Sequence, residues 1–398
     1  MKSDLNNTVN LKTKKKILCF VEHYVPGYKW GGPVHAIKNF ADQLSEEFDI
    51  YIVCRDREHG DKVPFKNIKI NKWNKVGEAM VLYACPKTVS IMGLYKIMSH
   101  TKYDIIYLNS FFSKYFSIIP LIIRNLILAN SFACILSPRG EFSPNALKLK
   151  RFKKFLFIIF TKLIGMHRNI KWIASSKYEY YDIKNIFFEL HKKIFIARDL
   201  VSNLELSNIK KNTKNTKSFK IVFLSRISPM KNLDFLLKAM KDLKKVSLQL
   251  AIYGTIDDKN YWNYCKTLIS ELPKNIKVKF FNRVKPKKVL TVFSKYDLFT
   301  FPTRGENFGY VITESLSAGT PILLSNKTLW KNDKNFGVEI VPLNKKKWVD
   351  TIKKWASLPR SELTRRRKAA YNYAVKNVFL ENKKTLILFK RIFNNIKK

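Results

Sequence analysis

Leu298-Phe299-Thr300-Phe301-Pro302 is a short apolar run, and Thr303-Arg304-Gly305-Glu306-Asn307-Phe308-Gly309 follows it directly. From Val311 to Ala318 the apolar residues take up helical spacing, and Gly319-Thr320-Pro321 leads into a second apolar run that ends at Ser325. The stretch reads as strand, loop, helix, strand, the repeating unit of a parallel sheet covered by helices. Ligands of such sheets collect at the carboxyl ends of the strands. Glu306 therefore falls in a loop at that edge, and Glu314 on the helix that follows.

Working outward, the same alternation continues in both directions. Strands are expected at Phe219 to Ser225, Ser247 to Gly254 and Ile276 to Asn282, and helices at Leu233 to Leu243 and Pro286 to Ser294. Helices rich in Lys, Arg and Trp fill 345–398. Upstream, Lys16 to Val21, Asp49 to Cys54, Asp104 to Leu108, Ala133 to Ser137, Lys171 to Ala174 and Lys193 to Ala197 read as strands, with a helix from Pro33 to Leu44. The predicted class is α/β, built as two Rossmann-like domains with parallel sheets. The boundaries are a polar leader at 1–15, an N-terminal domain at 16–201, an Asn, Lys, Ser and Thr rich linker at 202–218, a C-terminal domain at 219–375, and a last helical segment at 376–398 that could pack back on the N-terminal domain.

A length of 398 residues fits two domains, and 46% hydrophobic residues supply their cores. The 75 Lys and Arg against 30 Asp and Glu give a formal charge of +45, which favours nucleotide phosphates, an anionic membrane or nucleic acid as partners. There is no zinc-finger spacing and no RNA-binding aromatic signature, so no nucleic acid is expected. Five scattered cysteines and six histidines form no metal-ligand spacing, and structural thiols of a reducing compartment are expected. Met1 to Lys16 lacks a signal-peptide core. Phe116 to Leu136 has the length of a membrane span, but Arg124, Asn125 and Asn130 interrupt it, and it reads as a helix followed by a buried strand.

Three constellations carry chemistry. Trp30-Gly31-Gly32-Pro33 lies between the first strand and its helix, where glycines let backbone approach a ligand. Ser225-Arg226-Ile227-Ser228-Pro229-Met230-Lys231-Asn232 puts two cations at the carboxyl edge of the second sheet, suited to a diphosphate. The third is the opening stretch, where paired acids also admit a hydrolase if they flank one bond.

Together, Glu306-x-Phe308-Gly309, Glu314 and Gly319-x-Pro321, preceded by Arg226, Lys231 and Gly31-Gly32, resemble glycosyltransferase family 4, the retaining glycosyl transferases group 1 of the GT-B fold. The resemblance covers about residues 16 to 390. It implies two domains facing a central cleft, with Arg226 and Lys231 on the donor diphosphate and Glu314 on the nucleotide ribose. It further implies that Glu306, with Asn307, Phe308 and Gly309, holds the transferred sugar, and that Gly31, Gly32 and Arg139 lie on the acceptor side. Arg139 sits in Ser137-Pro138-Arg139-Gly140-Glu141-Phe142-Ser143-Pro144, which resembles a segment of enzymes that build bacterial surface polysaccharides. Two departures stand out. Lys231 is followed by Asn232 where the family has glycine, and Ile322 to Trp330 lacks the usual glycine-bearing loop.

The expected reaction is transfer of a hexose-type sugar from a nucleotide donor to a saccharide or lipid-linked acceptor in lipopolysaccharide, O-antigen or capsule synthesis, with retention, and with no cofactor or obligatory metal. The alternatives are a phosphorylase or hydrolase of related architecture and, further off, a basic nucleic-acid binder. Lys148 to Gly165 interleaves Lys and Arg with Phe, Leu and Ile, which fits either an interfacial helix on an anionic membrane or a helix packed on its own domain. The expected location is cytoplasmic, peripheral on the inner face of the membrane.

Overall fold

The computed structural model describes residues 13–27, 31–129, 131–148, 150–202, 218–285, 288–306, 308–333 and 337–396. Most of the expected leader and linker, together with Asn307, therefore lies outside the described residues. The chain divides into two compact units, 1–200 with 385–398, and 201–384.

The first unit is built on an eight-stranded sheet. Its strands are β1 (Lys15–Phe20), β2 (Phe48–Arg55), β3 (Trp73–Val76), β4 (Ala79–Ala84), β5 (Ile105–Leu108), β6 (Ala133–Leu136), β7 (Lys171–Ala174) and β8 (Ile194–Ile196), in the order β3-β4-β2-β1-β5-β6-β7-β8. All neighbours are parallel except β3 and β4. Helices α1 (Gly32–Leu44), α2 (Ile91–His100), α3 (Ile119–Ile122), α4 (Pro144–Lys148), α5 (Arg151–Leu163) and α6 (Lys177–Ile186) connect them. Every residue of β5 and β6 is buried, as a sheet covered on both faces requires. Two cores result, one on each face of the sheet.

The second unit holds six parallel strands, β9 (Phe219–Leu224), β10 (Leu248–Tyr253), β11 (Ile276–Phe281), β12 (Leu298–Phe301), β13 (Ile322–Ser325) and β14 (Val338–Val341), in the order β11-β10-β9-β12-β13-β14. Its helices are α7 (Leu233–Met240), α8 (Lys259–Ser270), α9 (Val289–Phe293), α10 (Tyr310–Ser317), α11 (Lys345–Ala356) and α12 (Arg360–Tyr373). A last helix, α13 (Leu380–Asn395), runs from the second unit into the C-terminal segment of the first. There Phe389 and Phe393 pack on Phe40, and Phe393 also meets Phe48 and Tyr107.

The long apolar run forms a helix over 114–127, with π turns at Lys114–Ile118 and Ile123–Ile127 around α3, and then β6. Arg124 is buried there because it donates to the carbonyls of Phe132 at 2.8 Å and Asn169 at 3.1 Å. No helix among the described residues is long and apolar enough to cross a membrane. The antiparallel β3–β4 hairpin, α2, α8 and β14 go beyond the sequence reading. β3 is partly exposed and carries no alternating pattern, so periodicity could not find it.

Candidate active site

Each sheet has one point where the strand order reverses. In the second unit it lies between β9 and β12, so the loops after these two strands open side by side at the carboxyl edge. The loop after β9 carries Arg226, Lys231 and Asn232, and the loop after β12 carries Arg304, Glu306 and Phe308.

Lys231 Nζ donates to Glu306 Oε2 at 2.7 Å, with both side chains largely buried, and the ammonium also lies over the Phe301 ring. Asn232 adopts the left-handed conformation, φ 62°, at the start of α7. Its side chain offsets the strain of that conformation by bridging the loops. The amide donates to Pro302 O at 2.9 Å, and its oxygen accepts from Arg304 Nε at 3.1 Å. Asparagine thus takes the backbone position usually given to glycine and adds two bonds that glycine could not make.

Glu306 is fixed on its other side by the segment after β13. Its backbone N–H donates to Lys327 O at 3.1 Å, and Trp330 Nε1 donates to Phe308 O at 2.9 Å. The stretch Asn326 to Trp330, which lacks the family's glycines, therefore holds the Glu306 loop through its backbone and one indole. Gly309 caps α10 at φ 76°, where a side chain would meet Ile312 Cδ1 at 2.7 Å and Glu306 Cγ at 3.0 Å. Glycine is required at this point.

Arg226 stands apart from this pair. It donates to Asp257 at 3.0 Å, with both side chains near half exposed, so the ion pair itself contributes little to stability. The loop is nevertheless firm, because Ile227 N donates to Thr255 O at 2.8 Å and Asp257 N to Ile227 O at 3.1 Å. A side chain at Gly254 would fall 1.7 Å from Ser225 O, so this close approach of two loops depends on glycine. Glu314 lies on α10, and burial pushes its carboxyl up to about 8. Among the described residues it has neither an ionic nor a hydrogen-bonding partner to hold its charge. Of the residues singled out in the sequence, Lys231 and Glu306 touch, with Asn232 and Arg304 beside them, while Arg226 and Glu314 sit on neighbouring elements.

The first unit reverses strand order between β1 and β5. A cavity of about 650 Å³ opens there, lined by residues that follow β1, β2, β5 and β6. Pro33 and Arg139 line it, and Gly31 sits next door at the cap of α1 with φ 72°. Arg139 is held by Asp199, by the Tyr107 hydroxyl at 3.1 Å and by Asn109 Oδ1 at 2.9 Å. The sequence reading missed most of the polar lining. Glu22 accepts from Arg55 at 2.8 Å and from the Ser113 hydroxyl at 2.6 Å. The partly buried Glu141 carboxylate accepts from Ser110 at 2.7 Å and from the Phe111 and Phe112 amides. Burial raises its pKa against those bonds. His23 and His59 meet edge to face at 5.5 Å, and burial lowers the pKa of His23. The available signal was positional: Glu22 and Arg55 fall at or just after strand ends.

Residues 206–374, which contain the loops after β9 and β12 and helix α10, match the family model of the glycosyl transferases group 1. That segment carries the glycosyl transferases group 1 domain. An uncharacterized glycosyltransferase of Methanocaldococcus jannaschii is 30% identical over 107 residues, and that match spans 27% of this chain and 27% of the relative. Solved structures extend the likeness in fold to nearly the whole chain. A glycosyltransferase from Rickettsia africae superposes with a TM-score of 0.67 at 17% identity, covering 96% of this chain and 99% of that one. Anabaena HepE in complex with UDP and glucose gives 0.67 at 12% identity, covering 96% and 100%. WaaG, a glycosyltransferase involved in lipopolysaccharide biosynthesis, gives 0.62 at 15% identity, covering 94% and 99%. The two sheets, parallel apart from the β3–β4 pair, are those of the GT-B fold.

Proposed function

We propose that this group 1 enzyme is a retaining glycosyltransferase that moves a sugar from a nucleotide-sugar donor to a saccharide or lipid-linked acceptor during synthesis of a cell-surface polysaccharide such as lipopolysaccharide, O-antigen or capsule. The observation that carries the reading is the Lys231–Glu306 pair at the strand-order reversal of the second unit, inside the segment that matches the family. A fixed ammonium beside a carboxylate suits a donor whose diphosphate needs positive charge and whose sugar offers hydroxyl donors.

In this reading Arg226 and Lys231 bind the diphosphate, and their charge counts most when the bond from the anomeric carbon to the phosphate oxygen breaks. The acceptor oxygen forms its bond on the face that the phosphate leaves. Its proton passes to the departing phosphate oxygen, which balances the step without a protein base. Glu306 and the backbone around Asn307, Phe308 and Gly309 hold the sugar, and Glu314 takes the ribose hydroxyls. The cavity of the first unit, with Gly31, Gly32 and Arg139 on its side, receives the acceptor. A HepE structure that holds UDP and glucose supports a uridine donor as the first to try. A lipid-linked acceptor would put the reaction at the cytoplasmic face of the membrane.

The test is nucleotide release from a panel of nucleotide sugars, with and without saccharide or lipid-linked acceptors. Acceptor-dependent release with retained anomeric configuration is expected. Equal release in water alone would identify a hydrolase, and dependence on inorganic phosphate a phosphorylase.

A further inference from the structure

Helix α5 is built inside out. Phe152, Phe155, Leu156, Ile159, Phe160 and Leu163 follow the three- and four-residue spacing of a single helical face, and all six are exposed, Phe152 by 73% and Leu163 by 77%. A helix of a soluble domain turns such a stripe inward. Here only Ile158 and Thr161 are buried, and Phe157 is partly covered against the core.

The stripe continues past the helix. Ile164 is exposed, and so are Leu126 and Ile127, whose neighbours Arg124 and Asn125 bond the carbonyls of Asn169 and Met166 just beyond the end of α5. Contiguous apolar exposure of this kind marks an interaction surface.

The charge around it selects the occupant. Between Asp104 and Glu179 the sequence holds twelve Lys or Arg and one acid, Glu141, whose carboxylate is partly buried and hydrogen-bonded. Lys148, Lys150, Arg151, Lys153 and Lys162 flank the stripe in exposed positions. Two copies of such a face would bring like charges together, which opposes a self-associated dimer.

We infer that the exposed face of α5, extended by Ile164, Leu126 and Ile127, is a docking surface for an anionic lipid bilayer, with the helix lying in the plane of the interface, its aromatic stripe among the acyl chains and its cations at the headgroups. The arrangement matches an interfacial amphipathic helix, where apolar burial and attraction to anionic lipid act together. The inference deepens the reading of a membrane-linked acceptor, and its test makes no use of sugar transfer.

The experiment is co-sedimentation of the full chain with vesicles of phosphatidylglycerol and phosphatidylcholine, or of phosphatidylcholine alone, across a salt series. Binding to the anionic vesicles that falls with salt is expected, with little binding to the neutral ones. Lys148→Gln, Lys150→Gln, Arg151→Gln and Lys153→Gln together should weaken it by about fivefold for each cation removed. Lys154 stays in place, because it bonds Ala146 O and lies over the Phe112 ring.

Phe155→Ser with Phe160→Ser should weaken binding about tenfold for each ring withdrawn, with little change in the thermal midpoint, since both residues are mostly exposed. Equal sedimentation of variants and parent would overturn the inference. So would equal binding to neutral vesicles, or sedimentation velocity showing a dimer that the Phe155 and Phe160 changes dissolve. Nucleotide release measured on the same variants separates the two readings, because a failed transferase assay leaves the vesicle result standing.

Discussion

At the scale of single residues, Glu314 and the Lys231–Glu306 pair set stability against function. The Glu314 carboxyl stands at about 8 against an ordinary 4.5, so between those values the folded chain keeps a proton that the unfolded chain has released. Stability contributed by this group is therefore present at low pH and is lost as pH rises through the window, by at most about 1.4 kcal/mol per pH unit. Glu314→Gln should raise the thermal midpoint by a margin that widens from pH 5 to 8, and a constant margin would refute that account. Above pH 8, where Glu314 is ionised, the same change should weaken donor binding tenfold or more, because the Gln amide keeps one acceptor oxygen and loses the other, a bond to a charged group worth about 1.5–3 kcal/mol. Lys231→Ala leaves Glu306 partly buried without its cation. It should cost about 1–3 kcal/mol in denaturant unfolding and lower turnover by about 100-fold or more, since the cation acts on charge that grows on the leaving group. Full activity in this variant would make the pair a structural tie only.

At the scale of elements, the loop after β9 depends on one left-handed asparagine. Asn232→Gly relieves its backbone but deletes the bonds to Pro302 and Arg304, and the net expectation is a loss of about 1–2 kcal/mol in denaturant unfolding. A more stable variant would show that the side-chain bonds carry nothing. Legibility followed pattern at this scale. Strands such as β1, β9, β12 and β13 were plain from apolar runs beside turn residues, and the loops after β9 and β12 from the cations and acids they hold. The pairing of Lys231 with Glu306 was not legible, because it joins positions 75 residues apart across adjacent strands. The cavity of the first unit was hidden for the same reason. Glu22, Arg55, Ser113 and Glu141 each follow a different strand or loop, and only the sheet order brings them together. For α5 the composition was legible, but which face it shows to solvent required tertiary structure.

At the scale of the whole molecule, the C-terminal segment ties the end of the chain to the first unit. Phe393 is fully buried among Phe40, Phe48 and Tyr107. Phe393→Ala should cost about 3–5 kcal/mol and lower the melting of the first unit, while the second, which has its own core, unfolds as before. Coincident loss of both transitions would contradict that division. The two-unit plan itself was readable from the repeated strand and helix alternation, whereas the return of the last helix to the first unit was no more than a possibility in the sequence, since its apolar residues do not say which core they enter. The charge of +45 has one proposed use in Arg226 and Lys231 and another in the cations around α5. The central claim, that the second unit turns over a nucleotide sugar through Lys231 and Glu306, is tested most directly by acceptor-dependent nucleotide release from a donor panel, run on the parent and Lys231→Ala chains side by side. The account predicts that at least one donor is turned over by the parent and that release falls by about two orders of magnitude in the variant. Release at the same rate from both, or tight binding of no nucleotide sugar at all, would contradict it.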